Sequence, residues 1–186
     1  NLFETRGVPG THNLKLLSQT IRNLKNNKFP LFLPVFDKVA DNKKKYQRKV
    51  NKVDLIILEG WCVGSKPIDS NYLKKNINDL EKIEDSNLLW RTAYNKALVE
   101  YQKVFKKFSY FIFIKIPNWK FVIDWKYKQE LGLRSSNSNN HLKKKLYRFI
   151  QFYEKLSKWM YLTSPSDCNV LITLDKKQTV KKITYK

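Results

Sequence analysis

A short segment near the start of the chain, Arg6-Gly7-Val8-Pro9-Gly10-Thr11-His12, combines residue types that bind small anions. It supplies a cation, a hydroxyl, an imidazole and two glycines, and an amphipathic pattern begins directly after it. Because the backbone N–H groups at a helix N-terminus attract negative charge, this arrangement predicts a site for a small anion. The same residues also fit a plain loop in which Thr11 caps the helix.

A second candidate is Glu59, which follows the aliphatic run 53–58 and precedes Gly60. Such a run predicts a strand buried on both faces, as in a parallel sheet. A carboxylate at the end of that strand can hold Mg²⁺ or orient a water on it, as in phosphoryl-transfer enzymes. It can equally cap the strand end and bond to a neighbouring loop. The pair Asp37-Lys38 is weaker, because a charged pair in a loop is usually just solvated.

The elements that would position these groups follow from the spacing of apolar residues. Helices are predicted over about 13–26, 70–83, 86–107, 119–131 and 142–161. Buried strands are predicted over 53–58, 110–116 and 170–174. Residues 29–36 contain two prolines and are predicted to form an extended arm that is not a regular strand, and residues 41–49 an exposed loop. Strands alternating with helices predict an α/β fold with parallel pairing.

Composition limits the class of protein. The chain has 186 residues, 37 of them basic and 16 acidic, for a formal net charge of +21. Only six of the basic residues are arginine, the preferred partner of phosphates and bases, so charge alone is weak evidence for nucleic-acid binding. No apolar stretch approaches the length of a membrane span, and the first residues lack the pattern of a signal peptide. Two cysteines suit a reducing cytoplasm.

Several motifs, taken in order, resemble those of the D-glycerate 3-kinase family of P-loop kinases. They are Arg6–His12, Leu33–Lys38, Val53–Gly64, Asn78–Glu81, Asp85, Trp90-Arg91, Trp125, Gln129-Glu130, Leu133-Arg134 and Phe149–Glu154. The resemblance covers essentially the whole chain. It implies a P-loop kinase-type parallel sheet with flanking helices, and transfer of the ATP γ-phosphoryl group to the 3-hydroxyl of D-glycerate with Mg²⁺.

The resemblance also implies roles for individual residues. Glu59 would act on Mg²⁺, directly or through water. Lys126 and Arg134 would lie in a lid over about 119–142 and would neutralise charge on the transferring phosphoryl group. Arg6 would bind the substrate carboxylate. The substrate side as a whole would comprise Arg6, Gly10, Thr11, His12, Asp37 and Lys38.

The chain departs from the family pattern in ways that leave other functions open. The nucleotide loop G-x-x-x-x-G-K-[ST] does not occur in these residues, nor does the family's Asp-rich motif. Asn13 stands where the family has Asp, and Lys126 where it has Arg. We therefore expect residues 1–186 to be the C-terminal portion of a single P-loop kinase domain that lacks its first strands. The alternatives are a degenerate kinase-like binding or regulatory protein, and a basic nucleic-acid-binding module.

Overall fold

The computed structural model describes residues 1–37, 40, 42–133 and 140–186. The chain divides into two compact units. One unit comprises Asn1–His12 together with Gly64–Lys186, and the other comprises Asn13–Val63. Lys38 and Arg134 lie outside the described residues, as do residues 134–139 of the expected lid.

The unit Asn13–Val63 consists of one helix and one hairpin. Helix α1 (Leu14–Lys25) buries Ile21 and Leu24, which confirms the helix predicted over 13–26. Strands β1 (Leu31–Asp37) and β2 (Asn42–Val50) pair antiparallel. The sequence prediction of an irregular arm and an exposed loop was therefore wrong. Proline is tolerated in β1 because each strand of a two-stranded hairpin keeps an outward edge, and the register is irregular next to Pro34.

Residues 53–58 do not form the predicted buried strand. Within the part of the chain that the structure describes, they join neither sheet. Leu55 and Ile57 are 74% and 78% exposed. An aliphatic run becomes a buried strand only where a sheet edge accepts its backbone groups and a layer covers its side chains. Residues 53–58 have the aliphatic composition of a buried strand. Within the described chain, however, they have no neighbouring strand to pair with and no layer of side chains that covers Leu55 and Ile57.

The unit that contains Gly64–Lys186 is built on a mixed three-stranded sheet in the order β3-β4-β5. Strand β3 (Ile112–Lys115) is parallel to β4 (Val170–Leu174), and β5 (Val180–Tyr185) is antiparallel to β4. The predicted strands 110–116 and 170–174 are confirmed, as is the α/β class. The sheet is mixed and not purely parallel because the basic residues after 174 include β5, which was not among the predicted strands.

Five helical segments of the described residues after Gly64 accompany this sheet, three before β3 and two between β3 and β4. They are α2 (Ser70–Lys74), a π-helical turn (Leu80–Glu84), α3 (Leu89–Phe105), α4 (Phe121–Leu133) and α5 (Asn140–Asp167). Phe113 of β3 packs in the core with Met160 and Cys168. None of the described helices combines the length and apolar character needed to cross a membrane.

The predicted helix 70–83 is interrupted because side chains take over its backbone bonds. The Lys155 ammonium donates to the carbonyls of Tyr72 and Lys75 at the end of α2. The Glu81 carboxylate accepts from the N–H of Ile77 at 3.0 Å. These bonds satisfy polar groups that a continuous helix would have paired internally, so the chain turns between α2 and the π-helical turn.

Four charged residues form a buried network beside this turn. Arg91, Glu81, Asp85 and Lys155 are each at most 2% exposed. Arg91 lies 2.8 Å from the Asp85 carboxylate and 3.3 Å from that of Glu81, and Lys155 lies 3.1 Å from the same Glu81 oxygen. Two cations balance two anions, which is the condition under which buried charges are tolerated.

Candidate functional site

The loop formed by residues 6–12, here called the anion loop, folds around the side chain of Thr11. The Gly7 N–H donates to the Thr11 hydroxyl oxygen at 3.0 Å, and that hydroxyl donates to the Val8 carbonyl at 2.8 Å. Thr11 therefore closes a turn within the loop and does not cap α1. Asn13 is the cap, since its side-chain oxygen accepts from the N–H of Leu16 at 2.9 Å.

The anion loop is fixed to its unit by burial and by backbone conformation. Val8 is only 3% exposed, and Pro9 is also buried. Gly7 and Gly10 have φ of +88° and +99°, a left-handed conformation that favours glycine. A Cβ on Gly10 would lie 3.5 Å from that of Ala97 on α3, so the loop backbone passes close to this helix.

Two tyrosine hydroxyls from the long helices hold the anion loop by its backbone. Tyr153 of α5 donates to the Arg6 carbonyl at 2.9 Å. The Tyr101 oxygen on α3 accepts from the Gly10 N–H at 3.0 Å. Both residues are remote from the loop in sequence. Tyr153 lies within the motif Phe149–Glu154, but no contact with the loop was predicted for it or for Tyr101. The spacing of Tyr101 after the buried residues Tyr94 and Leu98 indicates only that it faces the core.

His12 lies against the same tyrosine. Its Nδ1 is 2.6 Å from the Tyr101 hydroxyl oxygen, and the two rings meet edge to face with centroids 5.8 Å apart. Partial burial lowers the pKa of His12 from its usual 6.5, so the imidazole is neutral at pH 7. The side chains of His12 and Arg6 remain exposed to solvent.

The structure thus brings four predicted site residues, Arg6, Gly10, Thr11 and His12, into one rigid loop. Thr11 is engaged within the loop, while Arg6 presents a cation and His12 a neutral imidazole. A preformed loop with a guanidinium and hydrogen-bonding groups can bind a small carboxylate or phosphate at little ordering cost.

The remaining predicted residues of the unit Asn13–Val63 lie on the hairpin and on the irregular segment after it. Asp37 accepts from the N–H of Ala40 at 3.1 Å and pairs with Lys44 at 3.6 Å, so its carboxylate stabilises the hairpin turn. Glu59 is exposed. Because residues 53–58 form no strand, Glu59 neither caps nor ends one, and that part of the prediction was wrong.

Lys126, the predicted lid cation, is already engaged on its own helix. Its ammonium lies 2.9 Å from the Glu130 carboxylate and 3.0 Å from the Gln129 side-chain oxygen. It also lies 5.9 Å from the centre of the Phe149 ring on α5. A role for Lys126 with substrate would require exchange of these partners.

Among the described residues, no cluster of three or more histidine, cysteine or acidic side chains could enclose a metal ion. Magnesium bound with nucleotides needs only one or two carboxylates, because phosphate oxygens and water complete its shell. An exposed single carboxylate such as Glu59 fits that donor set.

Comparisons with known proteins agree with the motifs. The chain is 28% identical over 169 residues to the probable ATP-dependent kinase TDA10 of Saccharomyces cerevisiae, which is 82% of this chain and 54% of that protein. It is 26% identical over 183 residues to the chloroplastic D-glycerate 3-kinase of Arabidopsis thaliana, 89% of this chain and 37% of that protein. No protein-family model matches.

The fold agrees with that of a solved structure. The D-glycerate 3-kinase of Cryptococcus neoformans superposes with a TM-score of 0.75 at 20% identity, over the whole of this chain and 70% of the other. The resemblance to the D-glycerate 3-kinase family is thus confirmed. The chain spans about half the length of curated relatives such as the yeast kinase.

Proposed function

From the relationship of this chain to the D-glycerate 3-kinase family, we propose that it is part of an ATP-dependent kinase that phosphorylates D-glycerate on its 3-hydroxyl. Residues 1–186 would then be the C-terminal portion of a single P-loop kinase domain, with a lid over 119–142. The names of the relatives support the reaction class, and the resemblance of the motifs supports the acceptor.

The observation that carries the proposal is the rigid anion loop. Glycerate has one carboxylate and two hydroxyls, and a kinase must orient the carboxylate so that one hydroxyl faces the phosphoryl group. Arg6 offers a guanidinium that can grip a carboxylate with two parallel bonds. The tyrosine bonds and the Thr11 turn fix the loop before substrate binds, so the chain loses little entropy on binding.

Glu59 and the lid cations have proposed roles on the nucleotide side. Glu59 would hold Mg²⁺, directly or through water, and the ion would neutralise charge on the ATP phosphates. Lys126 and Arg134 would add positive charge near the transferring group, once Lys126 leaves Glu130. ATP as cosubstrate and two free cysteines fit a cytoplasmic location.

The test is a steady-state assay of the full-length protein with ATP, Mg²⁺ and D-glycerate, compared with L-glycerate, lactate and glycerol. Lactate lacks the 3-hydroxyl and glycerol lacks the carboxylate. Arg6→Gln should raise KM for D-glycerate roughly 10- to 100-fold, because a charged hydrogen bond contributes about 1.5–3 kcal/mol. KM for ATP should not change. Arg22→Gln, at an exposed arginine of α1, is the matched control.

Three outcomes would count against the proposal, each at a different level. ATP-dependent phosphorylation of a different hydroxy acid would contradict the acceptor alone. Equal loss of activity in the Arg6 and Arg22 variants would contradict the role of the anion loop. Binding of glycerate without any phosphoryl transfer would favour the degenerate, regulatory protein instead.

A further inference from the structure

The Tyr101 hydroxyl sits between two polar groups of the anion loop. It meets the Gly10 N–H at 3.0 Å and His12 Nδ1 at 2.6 Å. Tyr101 is 4% exposed and lies on α3, so its oxygen has a fixed position. A backbone N–H can only donate, and the tyrosine oxygen therefore accepts from Gly10.

The direction of the second bond follows from its length and from the chemistry of a phenol. Hydrogen bonds that an N–H donates to an oxygen commonly span about 2.7–3.2 Å. The 2.6 Å contact is short for a bond donated by His12 Nδ1 to the tyrosine oxygen. One lone pair of the oxygen is already used by Gly10, and the other is delocalised into the ring. The hydroxyl hydrogen is thus directed at Nδ1.

We propose that Tyr101 is a positioning residue that fixes His12 as the neutral tautomer with its hydrogen on Nε2. The exposed edge of the imidazole then offers a hydrogen-bond donor to the ligand of the anion loop. It offers no lone pair, so His12 is a binding group and not the general base that deprotonates the substrate hydroxyl. Only the identity of that ligand depends on the proposed kinase function.

This assignment agrees with the electrostatics of the loop. Arg6 already gives this loop a positive charge. Burial lowers the pKa of His12 and favours the neutral ring. A neutral imidazole can donate a hydrogen bond to an anion without adding a second positive charge to the loop.

The experiment is ¹⁵N NMR on the full-length protein labelled in its histidine rings, recorded above the pKa of His12. The His12→Gln variant assigns the His12 signals by their loss. We expect a pyridine-type Nδ1, moved by hydrogen bonding, and a pyrrole-type Nε2. In Tyr101→Phe both signals should move to intermediate positions that report exchange between tautomers. Tyr153→Phe is the matched control: it removes the other tyrosine bond to the loop and should leave the His12 signals in place.

Two results would overturn the inference. A pyrrole-type Nδ1 in the unmodified protein would reverse the bond and leave Nε2 available as a base. Unchanged His12 signals in Tyr101→Phe would show that Tyr101 does not set the tautomer. If Tyr101→Phe fails to fold, the spectrum of the unmodified protein still decides the direction of the bond. Absence of glycerate kinase activity alongside the expected spectrum would contradict the proposed function and not this assignment.

Discussion

Replacing Arg91 with methionine should strongly destabilise the unit that contains it. Methionine is long and apolar, but it cannot bond to the groups around the guanidinium. All five N–H donors of Arg91 are used, on the Asp85 and Glu81 carboxylates and on the carbonyls of Leu73, Glu81 and Asp85. The variant would leave two buried carboxylates with one remaining cation, Lys155.

The size of the effect follows from burial. Removing one partner of a buried ion pair costs about 3–5 kcal/mol, because the remaining charge stays desolvated. We expect a value near the lower end, since Lys155 still lies 3.1 Å from Glu81. A loss of about 3 kcal/mol is a large share of the roughly 5–15 kcal/mol that stabilises a typical domain.

Chemical denaturation of the full-length protein, monitored by tryptophan fluorescence, measures this change, because Trp90 is buried next to Arg91. The matched control is Arg148→Met, which breaks an exposed pair with Glu84 at 2.6 Å. An exposed pair contributes about 0.2–1 kcal/mol. Equal losses in the two variants, or a loss below about 1 kcal/mol for Arg91→Met, would refute the view that the buried network stabilises the fold.

Cys62, Glu59 and helix α4 each carry a separate expectation. Burial raises the pKa of Cys62 from 9.0 to about 11. The free energy of unfolding should therefore be at its full value below pH 9 and fall by about 2–3 kcal/mol by pH 11. The Cys62→Ala variant should lack this loss, and parallel pH curves for the two proteins would contradict the prediction. Glu59→Gln should lower kcat at least about 10²-fold, unlike Glu100→Gln at an exposed position, and near-normal turnover would exclude Glu59 from the site. Binding of ATP should slow amide hydrogen exchange in α4, and unchanged exchange would contradict a lid.

The helices were predictable from local patterns because a helix forms its backbone hydrogen bonds within its own segment. Leu14–Lys25 and Leu89–Phe105 bury one side of a repeating apolar pattern, and this pattern is visible in any single sequence. The error at 70–83 has a physical origin outside that segment. The ammonium of Lys155, some 80 residues away in the chain, takes carbonyls at the end of α2.

Strands were less predictable because their partners are distant. The run 53–58 has the composition of a buried strand, yet it pairs with nothing in the described chain. The opposite error occurred at β2, which is mostly polar and still forms a strand because β1 supplies its backbone partners. A segment forms a strand only where another strand offers its backbone groups for pairing. Apolar composition indicates that a segment is buried, which is common in strands but does not by itself make one.

The residues of the candidate site were proposed from their types, but the contacts that support the loop were not predicted. The structure shows the conformation of residues 6–12, and their role in binding stays a prediction. Nothing local to the loop indicates that Tyr101 and Tyr153 hold it, because a hydroxyl contact across α3 or α5 leaves no spacing in the sequence. The role of Asn13 was also hidden. As a helix cap it needs only a side-chain oxygen, which asparagine and aspartate both provide.

Helix α3 connects two groups of motif residues, the buried charged network and the anion loop. The buried network at Asp85 and Arg91 fixes the start of α3, where Asp85 accepts from the N–H groups of Trp90 and Arg91 at 2.8 and 3.1 Å. Tyr101 lies ten residues further along the same helix, a distance of about 15 Å. Since the network holds the start of α3 and Tyr101 lies on the same helix, we expect disruption of the network to displace the Tyr101 hydroxyl from His12.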